Sequence, residues 1–138
     1  MSRTIDIHKA AGIIIRDRKL LVERSTRKTF FIAPGGSIEA AETPTGALVR
    51  ELMEEFQIIT DEADFEPFGT FYAEAAGQPG KFVQMDVFVV RQWKGEPTAD
   101  NEVEEIAWVT SETAKALPVG SIFAHEVIPR LKAANLID

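Results

Sequence analysis

Apolar and polar positions alternate along KAAGIIIRDRKLLVERS, and its β-branched residues strengthen the signal. Two strands are expected near residues 8–16 and 19–23, joined by a polar turn at Asp17 and Arg18. TRKTFFIAPGGSIEAAE then breaks the pattern with a proline and two adjacent glycines, so residues 26–42 should be mostly irregular, with a short strand at 30–33. Thr43 reads as a helix N-cap with Pro44 at the first helical position, and the helix should run to about Phe56. Leu48, Val49, Leu52, Met53 and Phe56 form its apolar stripe, while Glu51, Glu54 and Glu55 fall on the other side within about 100° of arc. Two longer strands, 65–75 and 82–93, flank AAGQPGK, whose Gly-Gln-Pro-Gly is a turn signal, and a third covers 105–110. Thr110 or Ser111 can cap a short helix through Ala116 that Pro118 and Gly120 break. FAHEVIPRLKAAN reads as a last helix, kinked or started at Pro129. With no repeat or linker, residues 1–138 are expected to form one mixed α/β domain.

Composition narrows the function. A 138-residue chain with 45% hydrophobic residues can build one core. No apolar run approaches the roughly 18 to 20 residues of a membrane span, and the N-terminus lacks a signal-peptide core, so a soluble, cytoplasmic protein with no membrane partner is expected. Zero cysteines exclude disulfides, thiolate metal sites and a cysteine nucleophile. A net charge of −7 argues against a nucleic-acid binder, which would carry a basic face. If the substrate is a phosphate, a metal must bridge the repulsion.

The helix glutamates need a reason, because like charges three and four residues apart on a helix cost a few tenths of a kcal/mol per pair. A solvated surface is one reading. The other is an all-oxygen site, helix carboxylates preceded by a glycine loop that brings main-chain carbonyls close, suited to Mg²⁺ or Mn²⁺. Such a metal would draw in a diphosphate and activate water.

These residues resemble the signature of the Nudix hydrolases: Gly, five residues, Glu, seven residues, Arg-Glu, an aliphatic, one residue, Glu-Glu, one residue, Gly, an aliphatic. Gly36, Glu42, Arg50, Glu51, Leu52, Glu54, Glu55 and Ile58 fall on it, and Gln57 alone departs, standing where the last glycine is expected. The resemblance implies an α/β/α sandwich with a mixed sheet between helices, Mg²⁺ (or Mn²⁺) as cofactor, and hydrolysis of a nucleoside diphosphate linked to another group. It implies Glu54 and Glu55 as metal ligands, Glu51 as a ligand or the base acting on water, Arg50 holding a carboxylate by an ion pair, and the Gly35 carbonyl as a further ligand. Which glutamate is the base stays open. Glu39 and Glu42 are expected to brace the loop by accepting backbone hydrogen bonds. Gln57 and Ala41, both at positions where relatives favour glycine, put the helix exit and the loop in question.

Outside that stretch, the resemblance implies a further acidic ligand from the loop before the last strand, for which Glu102 is better placed than Glu104 or Glu105; a charged strand edge is the other reading. Arg24, which ends a strand leading into the site, is the candidate for phosphate oxygens, ahead of Arg27 and Lys28. Phe31, three residues before Pro34, resembles an aromatic often seen there in the family and is a substrate-site candidate, with core packing as the other reading, and Tyr72, Phe71 and Trp108 could stack on a base or pack the sheet. His125 stands about where members that cleanse oxidised guanine nucleotides carry an asparagine, which argues against strict oxidised-purine selectivity. A MutT-type nucleoside triphosphate pyrophosphohydrolase is the leading expectation, and the resemblance admits a homodimer. ADP-ribose, dinucleotide or nucleotide-sugar hydrolysis is the alternative within the family, and a non-catalytic nucleotide sensor the alternative outside catalysis. The isoprenoid diphosphate isomerases that share this fold use a cysteine that is absent.

Overall fold

The computed structural model describes residues 4–75, 78–100 and 102–138. Gly77, the first residue of the expected Gly-Gln-Pro-Gly turn, lies outside the described residues. Strands β1 (Ile7–Ile13), β2 (Ile15–Arg16), β3 (Lys19–Ser25) and β4 (Gly35–Ser37) precede helix α1 (Pro44–Phe56). Strands β5 (Phe65–Glu74), β6 (Phe82–Val90) and β7 (Val103–Val109) follow, then helices α2 (Ser111–Ala114) and α3 (Ile128–Ala133). One sheet has the order β4-β1-β6-β5, with β1 and β6 parallel and the other pairs antiparallel; β2-β3-β7 form an antiparallel second sheet. Among the described residues no helix is long and apolar enough to cross a membrane.

Period-two alternation divides the core between two faces. Ala11, Ile13, Leu20 and Val22 pack with Phe123, Val127 and Leu131, on the side of α3, whereas Ala10, Ile14 and Leu21 pack with Leu48, Leu52 and Phe56 of α1. Helices thus cover both faces of the strands, the expected α/β/α sandwich. Met53, assigned to the apolar stripe, is 44% exposed because it lies at the stripe's edge, turned away from Leu52 and Phe56. Asp17 and Arg18 both take left-handed conformations, as a two-residue hairpin turn between right-twisted strands requires.

Helix α1 begins as its sequence dictates, the Thr43 side chain accepting a hydrogen bond from the Gly46 N–H. It ends on Gln57 in the left-handed conformation usual for glycine, with φ 58°. The Gln57 N–H bonds the Met53 carbonyl at 3.1 Å, the Ile58 N–H bonds the Leu52 carbonyl, and the Gln57 side chain donates to Asp100. The cap is therefore built without glycine. Gln57→Val should destabilise the chain by about 1–2 kcal/mol, since a β-branched residue tolerates this conformation worst, and Gln57→Gly should be nearly neutral. Urea unfolding of the two variants checks this.

One expectation needs correction. Residues 30–33 form only isolated bridges, Ile32 with Glu23 and Phe31 with Val119, and the strand lies instead at Gly35–Ser37, paired with β1. Gly35 has φ 144°, and a Cβ there would stand 2.1 Å from the Ala10 carbonyl oxygen, so only glycine permits this pairing. The last helix changes at Pro129 as expected: residues Phe123–Val127 form a wide π turn, and α3 starts at Ile128 with Pro129 in its first turn. Pro129 has no N–H to donate, and its ring would clash with the carbonyl four residues back; the π turn before it relieves that conflict.

Candidate functional site

The loop entering α1 is held by one arginine. Arg50 donates to both Glu42 oxygens at 2.8 Å, to Glu51 Oε1 at 3.0 Å and to the Ser37 carbonyl at 3.2 Å. Glu42 also accepts the Glu39 N–H at 2.9 Å, which closes the tight turn where Ala41 takes φ 67°. The guanidinium first, and that amide second, hold the Glu42 carboxyl down at about 2. Glu39 is the more loosely tied, 3.8 Å from Arg50. Gly36 then lets β4 lie against α1, since a Cβ would sit 2.6 Å from the Glu51 carboxyl. Gly36→Ala should displace that carboxylate and lower turnover by about 100-fold with the fold retained, because displacements near 1 Å can cost that much. Steady-state kinetics beside circular dichroism test it.

The three helix glutamates are not equivalent. Glu51 and Glu55 line a cavity of about 340 Å³ together with Gly35, Gly36, Lys9, Glu23 and Lys28. Glu54 is more open, its side chain 55% exposed and 3.4 Å from an Arg50 nitrogen. The cavity's walls include Phe30, Ile32, Ile122 and Phe123, and Ile7, Ala73 and Val83 continue it one pleat beyond Lys9 and Met85.

Glu23 was not singled out by sequence, yet it is only 1% exposed. It lies two residues beyond Leu21, on the face of β3 that packs on α1 and so meets Glu55 and Glu51; that spacing was the available signal. Its carboxyl and that of Glu55 are within hydrogen-bonding reach, and the Oε2 atoms of both are buried without a donor. Two such carboxyls need a proton or a cation between them. Burial raises Glu23 to about 7; burial, followed by the charge of Glu23, raises Glu55 to about 10. Lys9 is shifted the other way, lowered mainly by burial and next by Lys28.

Other residues expected at the site stand elsewhere. Arg24 pairs with Glu105 at 3.2 Å and Glu104 at 3.4 Å. Phe31 is in the α3-side core, Tyr72 is 64% exposed, and His125 is exposed in the π turn. Glu102 is exposed just before β7, its carbonyl accepting the Thr26 N–H at 2.7 Å. None of these five lines the cavity.

The donor set at the cavity floor is oxygen only, and its two buried orphan oxygens fit a hard divalent cation. Among the described residues no three His, Asp or Glu side chains already stand as a metal cage.

The sandwich, with Gly36, Glu42, Arg50 and the helix carboxylates in register on it, defines a hydrolase acting on pyrophosphate bonds. The chain belongs to the Nudix family, whose NUDIX domain model matches residues 6–131. It is 34% identical over 116 residues to the 8-oxo-dGTP diphosphatase of Haemophilus influenzae, covering 80% of each chain. It is 32% identical over 97 residues to the enzyme of the same name from Proteus vulgaris, covering 67% of this chain and 82% of that one. Among solved structures, the E. coli ORF135 protein superposes with a TM-score of 0.74 at 27% identity over 96% of this chain and 94% of the other. A MutT structure from work on Aliivibrio salmonicida and Vibrio cholerae gives 0.73 at 25% identity, over 93% and 98%.

Proposed function

We propose that this chain hydrolyses a nucleoside triphosphate to the monophosphate and pyrophosphate, with Mg²⁺, or Mn²⁺ in its place, as cofactor. The observation that carries the reading is the pair of facing buried carboxyls, Glu23 and Glu55, beside Glu51 on the floor of a cavity with apolar walls. Glu51, Glu54 and Glu55, with the Gly35 carbonyl, are the residues we assign to the cation. When bound, the cation would neutralise the diphosphate and lower the pKa of the attacking water.

The remaining work belongs to the chain's own groups. Arg50 fixes Glu51 and Glu42, so the loop and the helix carboxylates keep one geometry. Lys9 and Lys28 line the cavity and offer ammonium groups to phosphate oxygens. Phe30 and Phe123 offer apolar surface to the base. We assign substrate contact to these four ahead of Arg24, Phe31, Tyr72 and His125, which lie outside the cavity. The relatives named 8-oxo-dGTP diphosphatase make an oxidised deoxyguanosine triphosphate the first substrate to try. We infer the cytoplasm as the site of action, on the ground that free nucleotides of that kind are its substrates.

The test is a panel of ordinary and oxidised nucleoside triphosphates, ADP-ribose, dinucleoside polyphosphates and nucleotide sugars, incubated with and without Mg²⁺ and resolved by chromatography. Monophosphate and pyrophosphate from triphosphates supports the reading. Faster cleavage of ADP-ribose or a nucleotide sugar replaces the substrate class, and no metal-dependent cleavage of any compound rejects the activity.

A further inference from the structure

We propose that Glu23 is itself a ligand of the divalent cation, supplied by strand β3 in addition to the carboxylates of α1. This rests on the reading of the cavity floor as a cation site, which assigns the cation to Glu51, Glu54, Glu55 and the Gly35 carbonyl and leaves Glu23 without a role as ligand.

A carboxylate kept in a core for structure alone is normally surrounded by donors. Glu23 is not. Its side chain is 1% exposed, its Oε1 takes one long bond from the Ser25 hydroxyl at 3.3 Å, and its Oε2 takes none. Among the described residues it forms no ion pair within 4.0 Å, although Lys9 and Lys28 line the same cavity. What it faces is the carboxyl of Glu55, whose Oε2 is equally without a donor, with Glu51 close by.

The position is also held from behind. The Glu23 N–H donates to the Ile32 carbonyl at 2.8 Å, and the Ile32 N–H donates to the Glu23 carbonyl at 2.8 Å. With the main chain tied on that side and Leu21 packed on α1, the side chain is aimed at the cavity whether or not a cation is present. An unpartnered, fully buried acceptor fixed beside two further carboxylates is a preorganised half of an oxygen site for a hard cation.

The experiment measures Mn²⁺ binding by calorimetry and electron paramagnetic resonance without nucleotide, in the wild-type chain and in Glu23→Gln. Glutamine keeps the size and can still hydrogen-bond Glu55, but it removes the charge. The expected result is Mn²⁺ affinity at least about tenfold weaker in Glu23→Gln, with a metal-free thermal midpoint equal to or above that of the wild type. A purely structural Glu23 would give the opposite, unchanged affinity with a lowered midpoint, and that overturns the proposal. If Glu23→Gln does not fold, Glu23→Asp carries the same comparison: weaker Mn²⁺ binding supports the assignment and equal binding rejects it. Binding of no Mn²⁺ by the wild-type chain would remove the cation site altogether, so the two failures are distinguishable.

Discussion

Glu55→Gln is expected to lower kcat by about 100-fold or more at saturating Mg²⁺ while the protein stays folded. Loss of a residue that merely orients a metal ligand costs about 10- to 100-fold in affinity or activity, and removal of a ligand should lie at or beyond the upper end. Glutamine has nearly the shape of glutamate, so the α1 side of the core, with Leu52 and Phe56 beside it, is undisturbed. It also removes one of two facing buried acids, so the metal-free variant should melt no lower than the wild type. Glu54→Gln should show a comparable loss, although Glu54 is far more exposed, because its assignment is to the cation and not to the core. Kinetics at several Mg²⁺ concentrations, beside thermal melting, make the comparison. Full activity in either variant would sink that residue's ligand assignment.

The stability of the metal-free protein should fall as pH rises from about 5 to 8. Glu23 is raised to about 7 and Glu55 to about 10, against 4.5 for an ordinary glutamate, so the folded chain binds protons that the unfolded chain has released. Their contribution is complete below about pH 4.5 and is lost as pH climbs through the folded values. The two carboxyls titrate as one coupled pair, so the loss belongs to the pair and is read as a melting temperature that falls across this range. Glu42 acts in the opposite sense: lowered to about 2 by Arg50, it adds stability above pH 4.5 that is lost only in stronger acid. A cation at the cavity floor would take the place of the shared proton, so Mg²⁺ should restore more stability at pH 8 than at pH 5. Melting curves in chelator and in Mg²⁺ across this range test the claim. A flat profile in chelator would contradict the buried carboxyl pair.

The parts of the fold that were legible in sequence are those specified by near neighbours. Helix α1 has the expected ends because Thr43, Pro44 and the spacing of Leu48, Leu52 and Phe56 act within the helix itself. The acidic face and an ion pair from Arg50 to a carboxylate were legible through the register of the signature, and the structure supplies Glu42 as that carboxylate. What escaped depends on contacts between distant segments. Gly35 and Gly36 read as a turn because glycine usually marks one, yet here the missing Cβ atoms let a strand approach β1 and α1. Glu23 looked like the polar end of a strand until α1 was laid across β3. Gln57 occupies a glycine-like conformation with Asp100 as side-chain partner, 43 residues away, which no local rule would find.

The central claim, metal-dependent cleavage of a phosphoanhydride at the Glu23, Glu51 and Glu55 floor, is tested most directly by product stoichiometry. A single nucleoside triphosphate is turned over with and without Mg²⁺, and monophosphate, pyrophosphate and orthophosphate are quantified together. The account predicts equal amounts of monophosphate and pyrophosphate, and none of either when the metal is chelated. Orthophosphate with diphosphate as the main products, or the same rate in chelator, would contradict it.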